Sequence, residues 1–404
     1  MIEFEKRTDR EREMLQALLD YQKEASEKED GGGGMANLMA EIMGGKLSKY
    51  KDLILNEAKG GLPIRSDLLR QFAIYGNDDP TEGTGIPGFL IEKKPIKGLL
   101  TAMALTAMST GKEGNQVLME FLPQMMQGKL FCYCITEPGA GTNTNNISTV
   151  AVDEGDHYRL NGQKTFISAA DSAHYMVVIA RVEIDGKKEA IGTFMMETDI
   201  KGISMTPLDI AALGDRQFTI HFDDVILPKE ALVGAKNATG GGSGISESVL
   251  YTLNLERIGA SLGGFKIAQE SFEKALKKAK EKPAFGPVPA SLPEVKQKLA
   301  KAKLKIELTN LALKKATYSF DRKEDSKLVG MYSNMAKYLA TMVAYESGGL
   351  ALSIYGVDGL NKDGDDIGSL YYLARLTRGI PINNEMVLNF LGENLLGLPK
   401  SYRT

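Results

Sequence analysis

The sequence predicts an α+β protein in which a helical region, a β region and a second helical region follow one another, and three observations support this. Apolar residues recur at three- and four-residue spacings in the first and last parts of the chain, which is the period of amphipathic helices. Short apolar runs between turn residues fill the middle, which is typical of strands. The texture changes near residues 128 and 237, so we expect domains at 1–128, 129–236 and 237–404.

The first region, residues 1–128, is expected to be an N-terminal helical domain. Met14, Leu18 and Tyr21 follow the helical spacing, and a later apolar run reads GLLTAMALTAM. Residues 76–88, GNDDPTEGTGIPG, carry turn residues at nearly every position. This stretch predicts one long irregular loop within the domain.

The middle region, residues 129–236, reads as a small antiparallel sandwich or barrel, because its strands follow one another without helices between them. Asp185 and Gly186 between two β-rich runs predict a hairpin turn. The two cysteines, Cys132 and Cys134, are interpreted as neighbours along a strand, since two cysteines with no second pair cannot build a structural zinc site. The three histidines are not spaced to chelate a metal, so no metal site is predicted.

Long helices are predicted in the last region, residues 237–404. A capping box is expected at Ser291, Pro293 and Glu294, with proline in the first turn. One apolar stripe then alternates four- and three-residue steps: Val295, Leu299, Ala302, Ile306, Thr309, Leu313 and Ala316. Such a stripe predicts packing against sister helices in a bundle.

Composition excludes several classes of protein. The 404 residues are 43% apolar and 25% charged, close to a globular average. Lysine and arginine number 49 against 52 acidic residues, and the net charge of −3 provides no global field for nucleic acid. No apolar stretch approaches the roughly 20 residues of a membrane span, and the charged start, MIEFEKRTDRERE, is unlike a signal peptide. A cytoplasmic protein with no membrane span and no nucleic-acid partner is expected.

The densest chemical signal is YCITEPGAGTN, residues 133–143, followed by LNGQKTFIS, residues 160–168. A strand that ends in Thr-Glu-Pro and turns through Gly139 and Gly141 exposes backbone N–H groups that can hold an anion such as a pyrophosphate. Glycines in a turn also occur without any ligand, so the spacing alone leaves both interpretations open.

TEPGAGTN, LNGQKTFIS and FDDVILP, in this order, resemble the middle-domain signature of the acyl-CoA dehydrogenase flavoprotein family. The resemblance implies an acyl-CoA dehydrogenase-like fold with a C-terminal four-helix bundle, and FAD as cofactor. It further implies an oxidoreductase acting on the CH–CH group of an acyl-CoA thioester, in fatty acid or aromatic acid degradation, with electron-transferring flavoprotein as acceptor. A homotetramer built as a dimer of dimers is implied as well.

The resemblance also implies the flavin contacts. Thr136 is expected to donate a hydrogen bond to the ring, and Phe166 stands where the family often has a tryptophan that packs against the flavin, although an ordinary core aromatic is the alternative. The implied cofactor residues are Tyr133, Ile135, Thr136, Gly141, Thr142, Phe166, Ile167, Ser168, Lys282, Phe285, Ser353, Gly356, Asn383 and Glu385. Thr142, Asn254 and Arg257 are implied to contact CoA.

The catalytic base is implied to be Glu256. Many family members carry the base near the C-terminus, but that position is Pro381 here, whereas LNLER at residues 253–257 resembles the isovaleryl-CoA dehydrogenase branch. Glu256 could instead be a carboxylate favoured by the start of a helix. Glu385 ranks second as base, and three acids of the long loop rank third: Asp78, Asp79 and Glu82.

The acyl group is not fixed by the sequence. A base at Glu256 is compatible with branched, cyclic or aromatic acyl groups. Two alternatives remain for the activity: a flavoprotein of this fold with altered chemistry, namely a desulfinase, an oxidase or a 1,4-eliminating dehydrogenase, or a non-catalytic partner subunit of a heteromeric dehydrogenase.

Overall fold

The computed structural model describes residue 49 and residues 129–210, 217–233, 247–281, 287–322 and 324–401. The expected helical domain at 1–128, apart from residue 49, and its long loop lie outside the described residues. The division into three domains therefore stays a prediction.

The described part of the middle region forms a sheet of eight strands. In chain order they are β1 (Phe131–Cys134), β2 (Val150–Asp153), β3 (His157–Ser168), β4 (Tyr175–Ile184), β5 (Lys187–Glu197), β6 (Ile203–Leu208), β7 (Gln217–Pro228) and β8 (Leu232–Val233). The order across the sheet is β6-β7-β3-β2-β4-β5-β8, and β1 pairs with β4. The predicted β region is confirmed.

The pairing differs from the antiparallel pattern that the sequence predicts. β1 and β2 each run parallel to β4, at successive positions along it, while the other pairs are antiparallel. The chain leaves the sheet after β1 and rejoins it at β2 in the same direction, so the excursion at 135–149 produces no net change of direction. This excursion contains the TEPG motif and is bonded to two interior strands, since the Thr165 amide of β3 donates to the Thr136 carbonyl and the Arg181 amide of β4 donates to the Thr149 carbonyl.

Two local predictions for the β region are confirmed. Asp185 and Gly186 connect β4 to β5 with positive φ angles of 51° and 72°, as a tight hairpin turn requires. Cys132 and Cys134 are buried on β1 and form no disulfide. Their thiols lie 3.7 Å apart, and the hydrogen bond with Cys134, together with burial, raises the pKa of Cys132, which suits an inert core position.

The described part of the last region contains five α-helices: α1 (Glu247–Glu281), α2 (Pro293–Asp321), α3 (Ser326–Tyr355), α4 (Ile367–Thr377) and α5 (Asn384–Leu395). α3 packs against α2, α4 and α5. The predicted stripe of α2 is confirmed, since Leu299, Ile306, Leu313 and the other members are buried or half-buried.

The predicted capping box of α2 is wrong. The N-cap residue is Leu292, and no side chain caps the helix. With Ser291 as N-cap the helix would begin at residue 292, but it begins one residue later, at Pro293. The Ser291 hydroxyl instead donates to the Val288 carbonyl at 2.7 Å. Pro293 therefore correctly marked the first turn of α2, whereas Ser291 did not mark its N-cap.

The chain divides into two compact units with the boundary inside α1, between residues 252 and 253. We call the unit that contains the described strands the β unit, and the unit that contains the described helices from residue 253 onward the helical unit. Within the described ranges, no helix combines the length and apolarity that crossing a bilayer requires. The same residues contain no group of histidine, cysteine and acidic side chains arranged to hold a metal ion.

Candidate active site

The TEPG excursion forms a closed turn. Glu137 and Ala140 exchange two backbone hydrogen bonds, each of 3.1 Å, which reverse the chain within four residues. Gly141 and Thr142 follow on the exposed side, and no atom lies within 4 Å of the position a Cβ would occupy on Gly139 or Gly141. The turn therefore presents open backbone to a ligand.

A buried ion pair lies beneath this turn. The Glu137 carboxylate accepts from the Lys164 ammonium at 2.7 Å, and the two side chains are 1% and 0% exposed. The carboxylate also accepts from the Ser148 hydroxyl at 2.6 Å and from the amides of Ser148 and Thr149 at 2.7 and 3.0 Å. The desolvated charges are thus compensated by a partner and by surrounding donors, as burial requires.

The pKa of Glu137 reflects this arrangement. Burial alone would raise the pKa, but the charge of Lys164 and the donors around the carboxylate outweigh burial and lower the pKa to about 2. Desolvation lowers the pKa of Lys164, which Glu137 opposes. We conclude that the pair is charged at neutral pH.

Lys164 and its neighbour fasten the turn to β3. The ammonium donates to the Ile135 carbonyl at 3.0 Å, and the Thr165 amide donates to the Thr136 carbonyl at 2.8 Å. Phe166 follows directly in the chain. Residues 135–137, which lead into the turn, and the Phe166 segment are therefore held together as one unit.

Phe166 has an unusual conformation. Its φ angle is +56°, in the left-handed region that residues other than glycine rarely adopt, and its side chain is 58% exposed. The alternative of an ordinary core aromatic is thereby excluded. A large exposed ring held at a strained backbone position is typical of a ligand site.

The neighbours of Phe166 anchor it to β7. Ile167 is buried, and the Ser168 hydroxyl and the Gln217 amide group form hydrogen bonds of 2.9 and 3.1 Å. The hydroxyls of Thr165 and Thr219 lie 3.0 Å apart. Tyr133 on β1 is also buried. The ring of Phe166 is thus presented from a rigid support.

These residues fit FAD. The exposed ring of Phe166 offers a stacking surface for a planar aromatic group, and the open turn at Gly139, Gly141 and Thr142 offers backbone donors to a diphosphate. Phe166 thus suits the flavin ring of FAD, and the open turn suits its diphosphate.

The helical unit contains Glu256 on α1. The Glu256 carboxyl forms neither a hydrogen bond nor an ion pair with any other residue that the structure describes. Burial raises its pKa to about 7, and the positive charge of Arg257 opposes the rise. A carboxyl whose pKa lies near neutrality suits general base catalysis.

Asn254 and Arg257 lie one turn apart on the same helix. Asn254 is buried, and its side-chain oxygen accepts from Arg257 Nη1 at 3.2 Å. The Arg257 Nε atom is buried and has no acceptor within the described ranges. This pair offers a donor to a ligand beside the candidate base.

The segment between α4 and α5 carries the remaining described candidates. Asn383 caps α5, accepting from the Met386 amide at 2.8 Å. The side chain of Glu385 is 73% exposed and lies 3.7 Å from Arg378. Glu385 therefore lacks the desolvated environment of Glu256. Pro381, at the position of the usual family base, carries no ionisable group.

Other predicted residues are less informative. Ser353 lies in the last turn of α3 and donates to the Gly349 carbonyl, and Gly356 ends that helix with φ +64°. Five predicted residues lie outside the described ranges: Lys282, Phe285, Asp78, Asp79 and Glu82.

Sequence reasoning missed three residues: the two members of one buried ion pair and one buried lysine. The Glu137–Lys164 pair stands inside the motifs, but no pattern in the sequence indicates that both charges are buried together. The buried Lys337 of α3 has mostly backbone acceptors, which leave no signature in a sequence.

The exposed ring and the open turn, taken by themselves, suit a flavin, and the isolated carboxyl of the other unit suits an acid–base role, so each is compatible with a flavin-dependent oxidoreductase. Residues 132–225 match the model of the acyl-CoA dehydrogenase middle domain, and residues 242–396 match that of the acyl-CoA dehydrogenase C-terminal domain. The chain is 32% identical to acyl-CoA dehydrogenase FadE12 of Mycobacterium tuberculosis over 70% of this chain and 71% of the relative. The chain belongs to the acyl-CoA dehydrogenase family, and its cofactor is FAD.

Other relatives have more specific names. The chain is 29% identical to 3-(aryl)acrylate reductase of Clostridium sporogenes, over 76% of each chain. Among solved structures, a glutaryl-CoA dehydrogenase of Mycobacterium smegmatis in complex with FADH2 superposes with a TM-score of 0.71 at 17% identity, covering 98% of this chain and 97% of that one. This likeness confirms the fold.

Proposed function

We propose that the protein dehydrogenates an acyl-CoA thioester and that Glu256 is the base that removes the α proton. The observation that carries this proposal is the isolated carboxyl of Glu256, whose pKa burial raises to about 7. Near neutral pH such a group exchanges a proton readily, and no described partner competes for its oxygens.

Proton and hydride leave from adjacent carbons. The Glu256 carboxylate takes the proton from Cα, and the electrons of that bond form the Cα–Cβ double bond of a 2,3-enoyl-CoA. The hydride released from Cβ requires an acceptor, which is the chemistry that FAD supplies when bound. We assign Thr136, Phe166 and Ser168 to the flavin, and Asn254 and Arg257 to the CoA thioester.

The acyl group is proposed to be branched, cyclic or aromatic. Pro381 replaces the usual base, and Glu256 approaches Cα from another helix, which changes the space left for the acyl chain. The relative named 3-(aryl)acrylate reductase supports an aromatic substrate.

The electron acceptor is proposed to be electron-transferring flavoprotein. A relative from Acetobacterium woodii, 30% identical, is named as a subunit of a caffeyl-CoA reductase–Etf complex. The homotetramer remains part of this proposal.

An anaerobic titration tests the substrate. The purified yellow protein is mixed with straight, branched, dicarboxylic and aromatic acyl-CoAs while flavin absorbance is followed. We expect bleaching by one class and an enoyl-CoA product by mass. A product of another mass would favour altered chemistry, and protein without FAD would favour a non-catalytic subunit.

Glu256→Gln tests the base. We expect retained FAD and a flavin reduction rate lower by about 10²- to 10⁴-fold. The matched control is Glu270→Gln, on the same helix, because Glu270 pairs with Lys274 at 2.9 Å and has no assigned role. In the unchanged protein, the rate should rise with pH through about 7, since the base acts deprotonated. Full activity of Glu256→Gln would refute the assignment and return Glu385 to consideration.

A further inference from the structure

A lysine with no exposed surface lies within the helical unit. The ammonium of Lys337 on α3 donates to the carbonyls of Arg378 and Ile382 at 3.1 and 2.5 Å, and to the side-chain oxygen of Asn384 at 2.7 Å. All three donors of the ammonium are thereby used. The cation joins both ends of residues 378–383, which we call the α4–α5 connection.

Further hydrogen bonds close the connection around these contacts. The backbone N–H of Asn384 donates to the Arg378 carbonyl at 3.0 Å. The Thr341 hydroxyl, one turn beyond Lys337, donates to the same Asn384 oxygen at 3.1 Å. The connection is therefore fixed at its ends, with the Lys337 ammonium as the shared donor.

Lys337 has no carboxylate among its hydrogen-bond partners. The charged groups that act on it are Glu385 on α5, Arg257 on α1 and Arg378 at the end of α4. Burial lowers the pKa of Lys337 to about 8, the attraction of Glu385 does not compensate, and the two arginines lower it further. Since a buried cation without a counter-ion is costly, packing alone does not explain a lysine here.

The connection lies beside groups assigned to the acyl-CoA site. It contains Pro381 and Asn383, and Glu385 follows it. Two buried N–H groups at its ends, Arg378 Nε and Asn384 Nδ2, have no acceptor within the described ranges. These unpartnered donors indicate that the connection is shaped for more than its own packing.

The same face of α3 also supports the helix of the candidate base. A Cβ on Gly330 would lie 3.8 Å from the side-chain oxygen of Asn254, and one on Gly264 would lie 3.2 Å from the Ala340 backbone. α3 therefore contacts both α1 and the α4–α5 connection.

We propose that Lys337 is a positioning residue of the acyl-CoA site, whose ammonium holds the α4–α5 connection against α3 in the shape that flavin reduction requires. This inference rests on the proposed function, because the cofactor contacts that the family resemblance implies for Asn383 and Glu385 matter only if the protein reduces a bound flavin.

Lys337→Met is the direct test, with the exposed Lys327→Met of the same helix as matched control. Hydrogen–deuterium exchange of the holoenzyme should rise about tenfold in residues 378–388 and stay unchanged in the β strands. Flavin reduction at saturating acyl-CoA should slow by about 10²-fold, with KM within about threefold, because misplaced groups slow the reaction more than they weaken binding. Lys327→Met should behave like the unchanged protein.

A second variant keeps the proposal testable if Lys337→Met fails to fold. Asn384→Asp is isosteric and places a carboxylate beside the ammonium, which raises the pKa of Lys337. In the unchanged protein, loss of the ammonium proton near pH 8 removes one donor, so the reduction rate should fall above that pH. Asn384→Asp should move this decline upward by about one pH unit or more. A purely structural role would not move it.

Unchanged exchange in residues 378–388 of Lys337→Met would overturn the proposal, as would an unmoved alkaline decline in Asn384→Asp. If no thioester reduces the flavin of the unchanged protein, the proposed function fails, and the exchange measurement still decides whether Lys337 holds the connection.

Discussion

Lys164 in the β unit and Lys337 in the helical unit are both fully buried, but their partners differ. Lys164 pairs with a carboxylate that accepts three further hydrogen bonds, and its ammonium also donates to the Ile135 carbonyl. Lys337 has only carbonyl and amide oxygens within hydrogen-bond distance among the described residues. Each lysine fastens a segment that carries candidate cofactor residues.

The two sites differ in the net charge that remains once the hydrogen-bond partners of each lysine are counted. The Glu137–Lys164 pair is internally neutral, so it serves as a fixed joint whose charge state is stable around neutral pH. Lys337 leaves a net positive charge near Arg257 and Arg378, and the pKa of about 8 makes its joint sensitive to mild alkali. Near neutral pH the Glu137–Lys164 pair therefore keeps its charges, whereas the charge of Lys337 changes in mild alkali.

The largest expected effect is a difference in the free energy of unfolding between variants of Lys164 and of Lys337. Lys164→Met strands the buried Glu137 carboxylate, which should lower the free energy of unfolding by about 3–5 kcal/mol. Lys337→Met leaves only neutral oxygens without a donor, so the free energy of unfolding should fall by about 1–3 kcal/mol. Urea unfolding at pH 7 measures both.

The double variant Glu137→Gln with Lys164→Met is the control for this comparison. Removing both charges should restore part of the lost stability, because the penalty belongs to the unpaired carboxylate. Equal losses for Lys164→Met and Lys337→Met would show that the partner's charge does not matter.

The next expected effect is a change in the free energy of unfolding with pH in the alkaline range. The folded pKa of Lys337 is lowered from 10.5 to about 8, so the unfolded chain binds more protons between these values. Stability should therefore rise with pH from about 8 to 10.5, by about 3 kcal/mol from this group. Urea unfolding of the unchanged protein and Lys337→Met across this range should show the difference. Parallel curves would mean that Lys337 titrates normally.

Sequence patterns predicted what depends on local chemistry. The Asp185–Gly186 turn was predictable because a tight hairpin needs positive φ, and the buried stripe of α2 because it follows the helical period. The assignment of Phe166 to the flavin came only from the family resemblance and stays a prediction, with which its exposed ring is compatible.

The rest depends on contacts that the sequence does not encode locally. The left-handed backbone of Phe166 coincides with a register shift between Lys164 and Ile167 in the pairing of β3 with β7, a strand about 50 positions later in the chain. The partners of Lys337 lie 41, 45 and 47 residues away, and two of them are backbone carbonyls. A carbonyl is present at every residue, so no residue type could have indicated the joint.

The smallest expected effect isolates one neutral hydrogen bond at the helical joint. Thr341 and Thr309 are both buried, and each hydroxyl donates to the carbonyl four residues earlier, at 2.9 and 2.8 Å. Only Thr341 also contacts Asn384. Both Thr→Val variants should lose about 1 kcal/mol of stability, but only Thr341→Val should raise exchange in residues 378–388, by less than Lys337→Met does. An equal rise in Thr341→Val and Lys337→Met would show that the hydroxyl, rather than the ammonium, holds the connection.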